Sequence, residues 1–460
     1  LNKHPLINKT AVIGFLIVVL FLALAVVRGL VHERTQNRDA AVTDVTHAHA
    51  GAQTLVGPVL HLPYTETFTR TVVVDAATGA RREDTLTEAR VAFVFPETLD
   101  TKGRLTTDLR WRGIFPVRVY TSHHDTVGRF VWPVVAPREK GGQIVLGQPR
   151  VIMGVSDLRG LMSPPVLKLA GQQLPVGSSP TTAELPLPLS ATFDSAAFKP
   201  GDALDFTLGL DLAGTGSIAW APLAGDNRVS LVSAWPHPSF GGNFLPRSRS
   251  VGASGFEASW SVPSLSTQAQ QKFLASGGKV FVMDSFSVSL DDPVDVYRLT
   301  DRATKYGMMF IVLTFAAFFV LEMVKRWRIH PMQYLMIGAA LVLFFLLLLS
   351  LSEQLDFLWA YLIASAGCIA LLTHYLGHVL GSARAGLGMG GLLVALYGVL
   401  YGILMSEDSA LMMGSLLLFG VLAAIMVATR KIDWYNVMGS EPRPTAPQGS
   451  PQTPSPEPVV

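Results

Sequence analysis

Hydrophobic and polar positions follow two different rhythms along this chain. Six stretches, at about 11–30, 307–324, 333–351, 357–375, 385–405 and 410–428, are apolar almost without interruption. Each is about 20 residues long, enough for an α-helix to cross the hydrocarbon core of a bilayer. The region between the first two has no such stretch. Residues 34–50 are polar and alanine-containing and extend the first helix beyond the membrane. From about Thr54 the rhythm changes to short β-branched runs separated by Gly and Pro. "RTVVVDAATGARRED" reads as a hairpin whose turn contains Thr78-Gly79. "ARVAFVFPE", "FPVRVYTS", "GRFVWPVV", "QIVLGQPRVIMGVSD", "ALDFTLGLDLAG", "RVSLVSAW" and "KVFVMDSFSVSL" read as strands, and 268–275 as a short helix. Short antiparallel strands without alternating long helices point to sandwich-like sheet packing, in one domain or two.

The expected fold is therefore membrane α-helical plus all-β. Residues 1–33 hold a cytoplasmic N-terminus and transmembrane helix 1, and 34–305 a β-rich periplasmic domain. Residues 306–436 form a C-terminal bundle of five transmembrane helices. Residues 437–460 are Pro-rich and lack aromatics, so they cannot bury enough apolar area to offset the entropy of ordering; a disordered cytoplasmic tail is expected. The first apolar run is longer than the core of a usual signal peptide and is read as an uncleaved anchor. The chain begins at Leu1 rather than Met, as a missing residue or an unusual start codon would leave it.

Composition agrees with a membrane protein: 49% of the 460 residues are hydrophobic and only 15% charged, against about 25% charged in soluble proteins. Charge also predicts orientation. Lys3 and Lys9 precede the first span; Lys325, Arg326 and Arg328 lie between the second and third, Arg384 between the fourth and fifth, and Arg430 and Lys431 after the sixth. The alternate loops carry Glu353 and Asp356, then Glu407 and Asp408. Basic residues near span ends stay cytoplasmic, so both termini are expected inside and the polar region outside. Arg28 and Arg34 dissent. The single cysteine, Cys368, falls within the fourth span, so the exported region cannot rely on disulfides. The net charge of +2 comes largely from cytoplasmic loops and gives no reason to expect nucleic acid.

Candidate chemistry is sparse. His123-His124-Asp125 resembles a metal or acid–base cluster, but adjacent strand residues face opposite ways, and an exposed turn accounts for them better. His374 and His378 share a helix face, as two metal ligands would, yet sit at a span end where polar rings anchor helices. Gly386-Leu387-Gly388-Met389-Gly390-Gly391 looks like a nucleotide loop but follows no strand. Gly386, Gly390, Gly398 and Gly402 instead form a four-residue ridge suited to close helix packing in lipid. Glu322, in the second span, has Lys325 and Arg326 as local partners. Few other charges lie within the spans, which disfavours ion-coupled transport. No hydrolase, P-loop, zinc or kinase motif is present, and no catalytic residue, cofactor or metal site is expected.

Seven strings occur in order: "LVGPVL" (55–60), "SAWPHPSFGGNFLP" (233–246), "YRLTDRATKY" (297–306), "HPMQYL" (330–335), "LLLLSLSE" (346–353), "SEDSALMMGS" (406–415) and "KIDWY" (431–435). Together they resemble the CreD family of bacterial inner-membrane proteins, from the first span to about Tyr435. Asn243 stands where the family pattern leads one to expect Asp. The resemblance implies a multi-pass inner-membrane protein of cell-envelope integrity and stress response, under two-component control, that affects colicin tolerance and permeability. It brings no catalytic residue. Trp235, Pro236, His237, Pro238 and Phe240 form a rigid aromatic loop suited to recognising a partner or lipid; the alternative is a packed corner with His237 bonded internally. Asp301, Arg302, Lys305 and Tyr306 read as the membrane junction, with Tyr306 and Lys305 at the headgroups and Asp301 and Arg302 paired with the β-domain base or lipid phosphates. The bilayer is the expected partner, along with envelope proteins or lipids met by the outer domain; the sequence leaves the oligomeric state open. Three functions remain: a non-enzymatic binding or scaffolding protein, a lipid or small-molecule transporter, and a membrane-bound enzyme.

Overall fold

The computed structural model describes residues 5–430 except 76–79, 180–181, 183–184, 277–282, 291, 293–294, 326–328 and 407–408. Lys3, the Thr78-Gly79 turn, Arg326, Arg328, Glu407, Asp408, Lys431, "KIDWY" and the Pro-rich tail lie outside the described residues. The chain divides into two compact units, residues 1–36 with 294–460, and residues 37–293.

Helix α1, Pro5–Ala48, runs through the first apolar stretch and on through the polar residues that follow. After it come the strands β1 Gln53–Asp75, β2 Ala80–Val94, β3 Thr98–Arg112, β4 Phe115–Val131, β5 Gln143–Leu146 and β6 Arg150–Val155. Next are β7 Val166–Leu169, β8 Gln172–Leu174, β9 Gly177–Ser178, β10 Leu189–Thr192, β11 Ala203–Thr215 and β12 Ser217–Trp220. Then follow β13 Asp226–Ser233, β14 Ser239–Gly242, β15 Ser248–Gly252, β16 Gly255–Pro263, helix α2 Ala269–Ser276 and β17 Phe286–Ser289.

Among the described residues these strands make two sheets. The first has the order β14-β17-β12-β1-β6-β10-β9, with β2 and β5 also paired to β1; the second runs β15-β16-β13-β3-β4-β11-β7-β8. Two pairs, β1 with β12 and β3 with β13, are parallel rather than antiparallel. One core cluster joins Leu60 and Met153 of the first sheet to Phe130 and Phe206 of the second; another joins Trp220 and Phe286 to Leu231 and Trp260. These clusters therefore lie between the sheets. Val56, Val59 and Ile152 instead pack with Phe273 of α2, so the first sheet is covered on both faces. A bulge at Gly57-Pro58 makes this possible: it shifts the register between Val56 and Val59, which lets an even and an odd residue share one cluster. Gly57 has φ 84°, a conformation that a side chain disfavours. "LVGPVL" is thus a structural kink.

Two strand expectations need correction. "FPVRVYTS" and "GRFVWPVV" are not separate strands with His123-His124 in a turn between them; β4 runs unbroken through both. Strand β3 went unread because its outward positions are Lys, Arg and Asp, which hide the alternation of Thr101, Gly103 and Leu105 on its buried face.

The other unit holds α3 Val296–Lys325, α4 Pro331–Ser352, α5 Phe357–Val379, α6 Ala383–Met405 and α7 Ala410–Thr429. With α1, the described residues include six helices long and apolar enough to cross a membrane. Their common core includes Leu20, Phe310, Phe345, Tyr361 and Tyr397. Helix α7 is peripheral, with Leu411, Phe419 and Val427 exposed. Helix α3 begins at Val296, so Asp301, Arg302, Lys305 and Tyr306 lie within its first turns.

Candidate functional site

In the β unit, the Trp235–Phe240 string links β13 to β14 and is held at several points. The Trp235 indole N–H donates to the His237 carbonyl at 2.9 Å. Above the ring, 3.7 Å from its centroid, lies the Arg118 guanidinium. Arg118 is itself fixed by Asp292, with Nε and Nη2 at 3.0 and 2.6 Å from Oδ1. Phe240 meets Phe256 and Trp260 edge-on, each at 5.8 Å. Pro236 and Pro238 are half-buried, while His237 is exposed with its ring against Trp235 at 5.5 Å. The internal hydrogen bond thus uses the His237 carbonyl and not its imidazole. Downstream, Asn243 Oδ1 accepts the Ser285 N–H at 3.0 Å. That role needs only an acceptor oxygen, so Asn meets it as Asp would.

His123 and His124 occupy opposite faces of β4. His123, whose side chain is 53% exposed, lies 2.6 Å from Asp211 and 3.2 Å from Asp125. The Asp211 hydrogen bond raises its pKa. Asp211 is held lower by His123 first and by Ser163 second, with the Ser163 hydroxyl donating at 2.8 Å. His124 is fully buried, 3.0 Å from the Ser122 hydroxyl and edge-on to Trp220 at 5.7 Å. Burial pulls its pKa down to about 4, so it is neutral at physiological pH. The two imidazoles share no ligand. Among the described residues no group of three or more His, Cys, Asp or Glu side chains is arranged to hold a metal.

In the helical unit, charge gathers at the helix ends. Glu322 pairs with Lys9 of α1 and not with neighbouring Lys325. Its other oxygen accepts from the Tyr334 hydroxyl at 2.9 Å, and Lys9 also donates to the Ile329 carbonyl at 2.8 Å. Lys9 was legible only as a topogenic charge. The one signal for its partner was Glu322 in an otherwise apolar span. At the opposite ends of these helices, Asp301 lies 3.5 Å from Arg28 and 2.6 Å from Lys305. Arg34 lies 3.5 Å from Glu353, which also accepts from Tyr297 at 3.4 Å. Arg302 donates to the Ser406 carbonyl at 2.8 Å, at the end of α6. Asp301 and Arg302 thus find partners on neighbouring helices. Tyr306 is half-buried against the helical core.

The four ridge glycines of α6 have different surroundings. A Cβ on Gly386 would lie 2.7 Å from Gly377 Cα, and one on Gly390 2.4 Å from the Thr373 hydroxyl, both on α5. Gly402 faces the tip of Met413 at 3.2 Å, and Gly398 meets nothing within 4 Å. His374 and His378 are exposed in the last turns of α5, with ring centroids 4.7 Å apart. Cys368 is buried and accepts from the Tyr397 hydroxyl at 3.2 Å.

An apolar N-terminal helix, a two-sheet β unit and five further spanning helices define a multi-pass membrane protein with a large inserted β domain. The family model described as "Inner membrane protein CreD" matches residues 5–435. Inner membrane protein CreD of Escherichia coli (strain K12) is 34% identical over 451 residues, covering 94% of each chain. The chain belongs to the CreD family, and like its relatives it is an inner-membrane protein. Among solved structures, an M1 zinc metallopeptidase from Deinococcus radiodurans aligns over 43% of this chain and 42% of its own with a TM-score of 0.22 and 8% identity. A mutant of that enzyme gives 0.21 and 9% over the same shares. Similarity at that level carries no argument about fold or activity.

Proposed function

We propose that this protein acts without catalysis, as a binding or scaffolding protein in envelope integrity and stress response. On this reading both termini are cytoplasmic and the β domain is periplasmic. The charge pattern supports that orientation: Lys9, Lys325, Arg384 and Arg430 fall at one set of helix ends, Glu353 and Asp356 at the other. The observation that carries the binding role is the 235–240 corner. Its indole is clamped between Arg118 and the His237 backbone, and the His237 imidazole faces outward. A surface so ordered loses little entropy on binding. Insertion of the domain between two spanning helices also keeps it close to membrane partners.

A photoreactive benzophenone residue placed at His237 in cells tests this. The expected result is a protein adduct, identified by mass spectrometry, that is lost when Arg118→Ala releases the clamp. Intramolecular links alone would remove the binding role. Complementation of a deletion strain gives a second readout: His237→Ala with normal membrane levels should fail to restore detergent and colicin tolerance.

A further inference from the structure

Both sheets of the β unit end on strands with a free edge. Strand β14 is the last of the first sheet and pairs only with β17; β15 is the last of the second and pairs only with β16. All five residues of β15, Ser248–Gly252, are exposed. Its outer edge therefore presents backbone N–H and C=O groups that have no strand neighbour among the described residues. The strand is nonetheless held in place. The Ser248 hydroxyl lies 2.7 Å from that of Ser259, and the Arg247 N–H donates to the Ser259 carbonyl at 2.8 Å.

Register decides which of its side chains continue the inner face of the sheet. Arg249 stands opposite Ala258 and Val251 opposite Phe256, and both partners are buried in the core between the sheets. Arg249 and Val251 thus share that face while staying exposed. The Arg249 guanidinium lies 5.8 Å from the ring centroid of Phe240, on β14. Neither Arg247 nor Arg249 has an ion pair among the described residues. Glu257 is opposite Ser250 and so lies on the other face. From 229 to 256 the chain carries these two arginines and no acidic residue.

We infer that β15 takes up an extended acidic peptide as an additional strand, with carboxylates of the peptide on Arg247 and Arg249 and an apolar side chain against Val251 and Phe240. This rests on the binding role proposed for the 235–240 corner, whose Phe240 it shares, and it names the class of partner. Main-chain pairing along a free edge supplies affinity, and side chains at alternate positions supply specificity. The arginines also select against a second copy of the same edge. Two β15 edges side by side would set Arg against Arg, whereas an acidic strand sets Arg against carboxylate. Lipid phosphates or nucleic acid match the charge but not the row of amides and carbonyls. Because the edge is already ordered, most of the ordering cost falls on the peptide alone.

The test uses the full chain in nanodiscs, with Cys368→Ala as background. Ala253→Cys, just past β15, carries a bimane probe, and Val166→Cys, on β7 near the opposite end of the same sheet, is the control. The ligand is a nitroxide-labelled heptapeptide of alternating Glu and Val. It should quench the first probe saturably and spare the control. The same peptide with Lys in place of Glu should not bind, and methylating the backbone nitrogens should weaken binding at least about tenfold. Arg247→Gln with Arg249→Gln should weaken it about two- to thirtyfold at an unchanged melting temperature. No quenching with about 1 mM peptide would overturn the inference. So would equal binding of the Lys peptide, or an affinity indifferent to methylation, which would leave an anion patch without strand pairing. A protein adduct at His237 with no peptide binding would remove this inference and leave the corner's role standing. Peptide binding without that adduct would support the edge and remove the corner.

Discussion

Alanine at each of the four ridge glycines of α6 should separate close packing from mere smallness. A Cβ at Gly386 meets backbone: Gly377 Cα at 2.7 Å, Gly377 N at 2.8 Å and the Thr373 carbonyl at 2.9 Å. None of these atoms can rotate away. Restoring ordinary carbon contacts near 3.5 Å requires α5 and α6 to part by about 0.8 Å, and a gap of that size forfeits roughly a quarter to a half of each facing contact's attraction. Overpacking of this kind costs about 1–3 kcal/mol, offset by up to about 1 kcal/mol from the helix propensity of Ala over Gly. With no backbone atom able to give way, the cost falls in the upper part of that range, about 2–3 kcal/mol, and Gly386→Ala should destabilise by about 1–2 kcal/mol after the offset. At Gly390 the nearest atom is the Thr373 hydroxyl, which can turn aside, although its Cγ2 at 3.2 Å and Cβ at 3.4 Å remain. That variant should lose less, about 0.5–1 kcal/mol. Gly402 meets only the flexible end of Met413, and Gly398 meets open space. Both substitutions should be neutral or slightly stabilising.

The assay is thermal loss of the far-ultraviolet helix signal of the full chain in lipid nanodiscs, with the order Gly386, Gly390, Gly402, Gly398 from most to least damaging. A double-mutant cycle sharpens it. The Thr373 hydroxyl is buried and makes no hydrogen bond, so Thr373→Ala alone should be mild and should rescue Gly390→Ala by about 0.5–1 kcal/mol. It should leave Gly386→Ala unrescued, because the carbonyl and Gly377 remain. Equal losses at all four positions, or Gly398 as sensitive as Gly386, would refute the reasoning.

The Lys9–Glu322 pair gives a second test. Lys9→Ala leaves Glu322 mostly buried with only Tyr334 and the Ile329 N–H to satisfy it, at a cost of about 3 kcal/mol, and Lys9→Ala with Glu322→Leu should recover most of that in the same melt. Additive losses would show that the two charges act separately. A third concerns pH. His124 has a folded pKa of about 4, below its unfolded value near 6.5, so its contribution is complete above pH 6.5 and is lost as pH falls from there to about 4. The shift corresponds to about 3 kcal/mol. His123 acts in the opposite sense, stabilising below its unfolded value and losing that contribution as pH rises through its folded value. Near-ultraviolet melts should therefore show His124→Gln removing most of the slope between pH 6.5 and 4. An unchanged slope would assign it to other groups.

The membrane plan was legible because crossing lipid demands about 20 apolar residues in sequence, a local property. Helix α1 could likewise be followed through its polar extension to Ala48. The sheets were less legible, because register depends on partners far along the chain. Thr98 pairs with Asp226 in parallel and Gln53 with Ile218, and nothing in the local pattern of β3 or β1 announces either. Side-chain pairings were least legible. Glu322 had charged neighbours in sequence, yet its partner is 313 residues away. Trp235 and His237 could be singled out by composition and the flanking prolines, but Arg118 and Asp292, which fix them, carry no local mark. Charge near a span suggests that a partner exists; only the fold says which residue it is.

Arg28 and Arg34 bear directly on orientation. Both lie at the acidic set of helix ends, where a rule that keeps basic residues cytoplasmic disfavours them. Each faces a carboxylate at 3.5 Å, Arg28 at Asp301 and Arg34 at Glu353. Two explanations then diverge. If the carboxylates permit the orientation, removing them should invert a fraction of the chains. Acidic residues contribute little to topology, however, and insertion responds mainly to Lys and Arg. The pairs are better read as packing contacts that tie α1 to α3 and α4 after insertion. Both arginines are more than a third exposed, so each pair contributes at most about 1 kcal/mol. Asp301→Ala with Glu353→Ala should thus lower the melting temperature slightly and leave the proposed orientation intact. An alkaline phosphatase reporter fused after Asp356 should stay as active in that variant as in the parent. Loss of reporter activity at equal protein level would show that the carboxylates orient the chain.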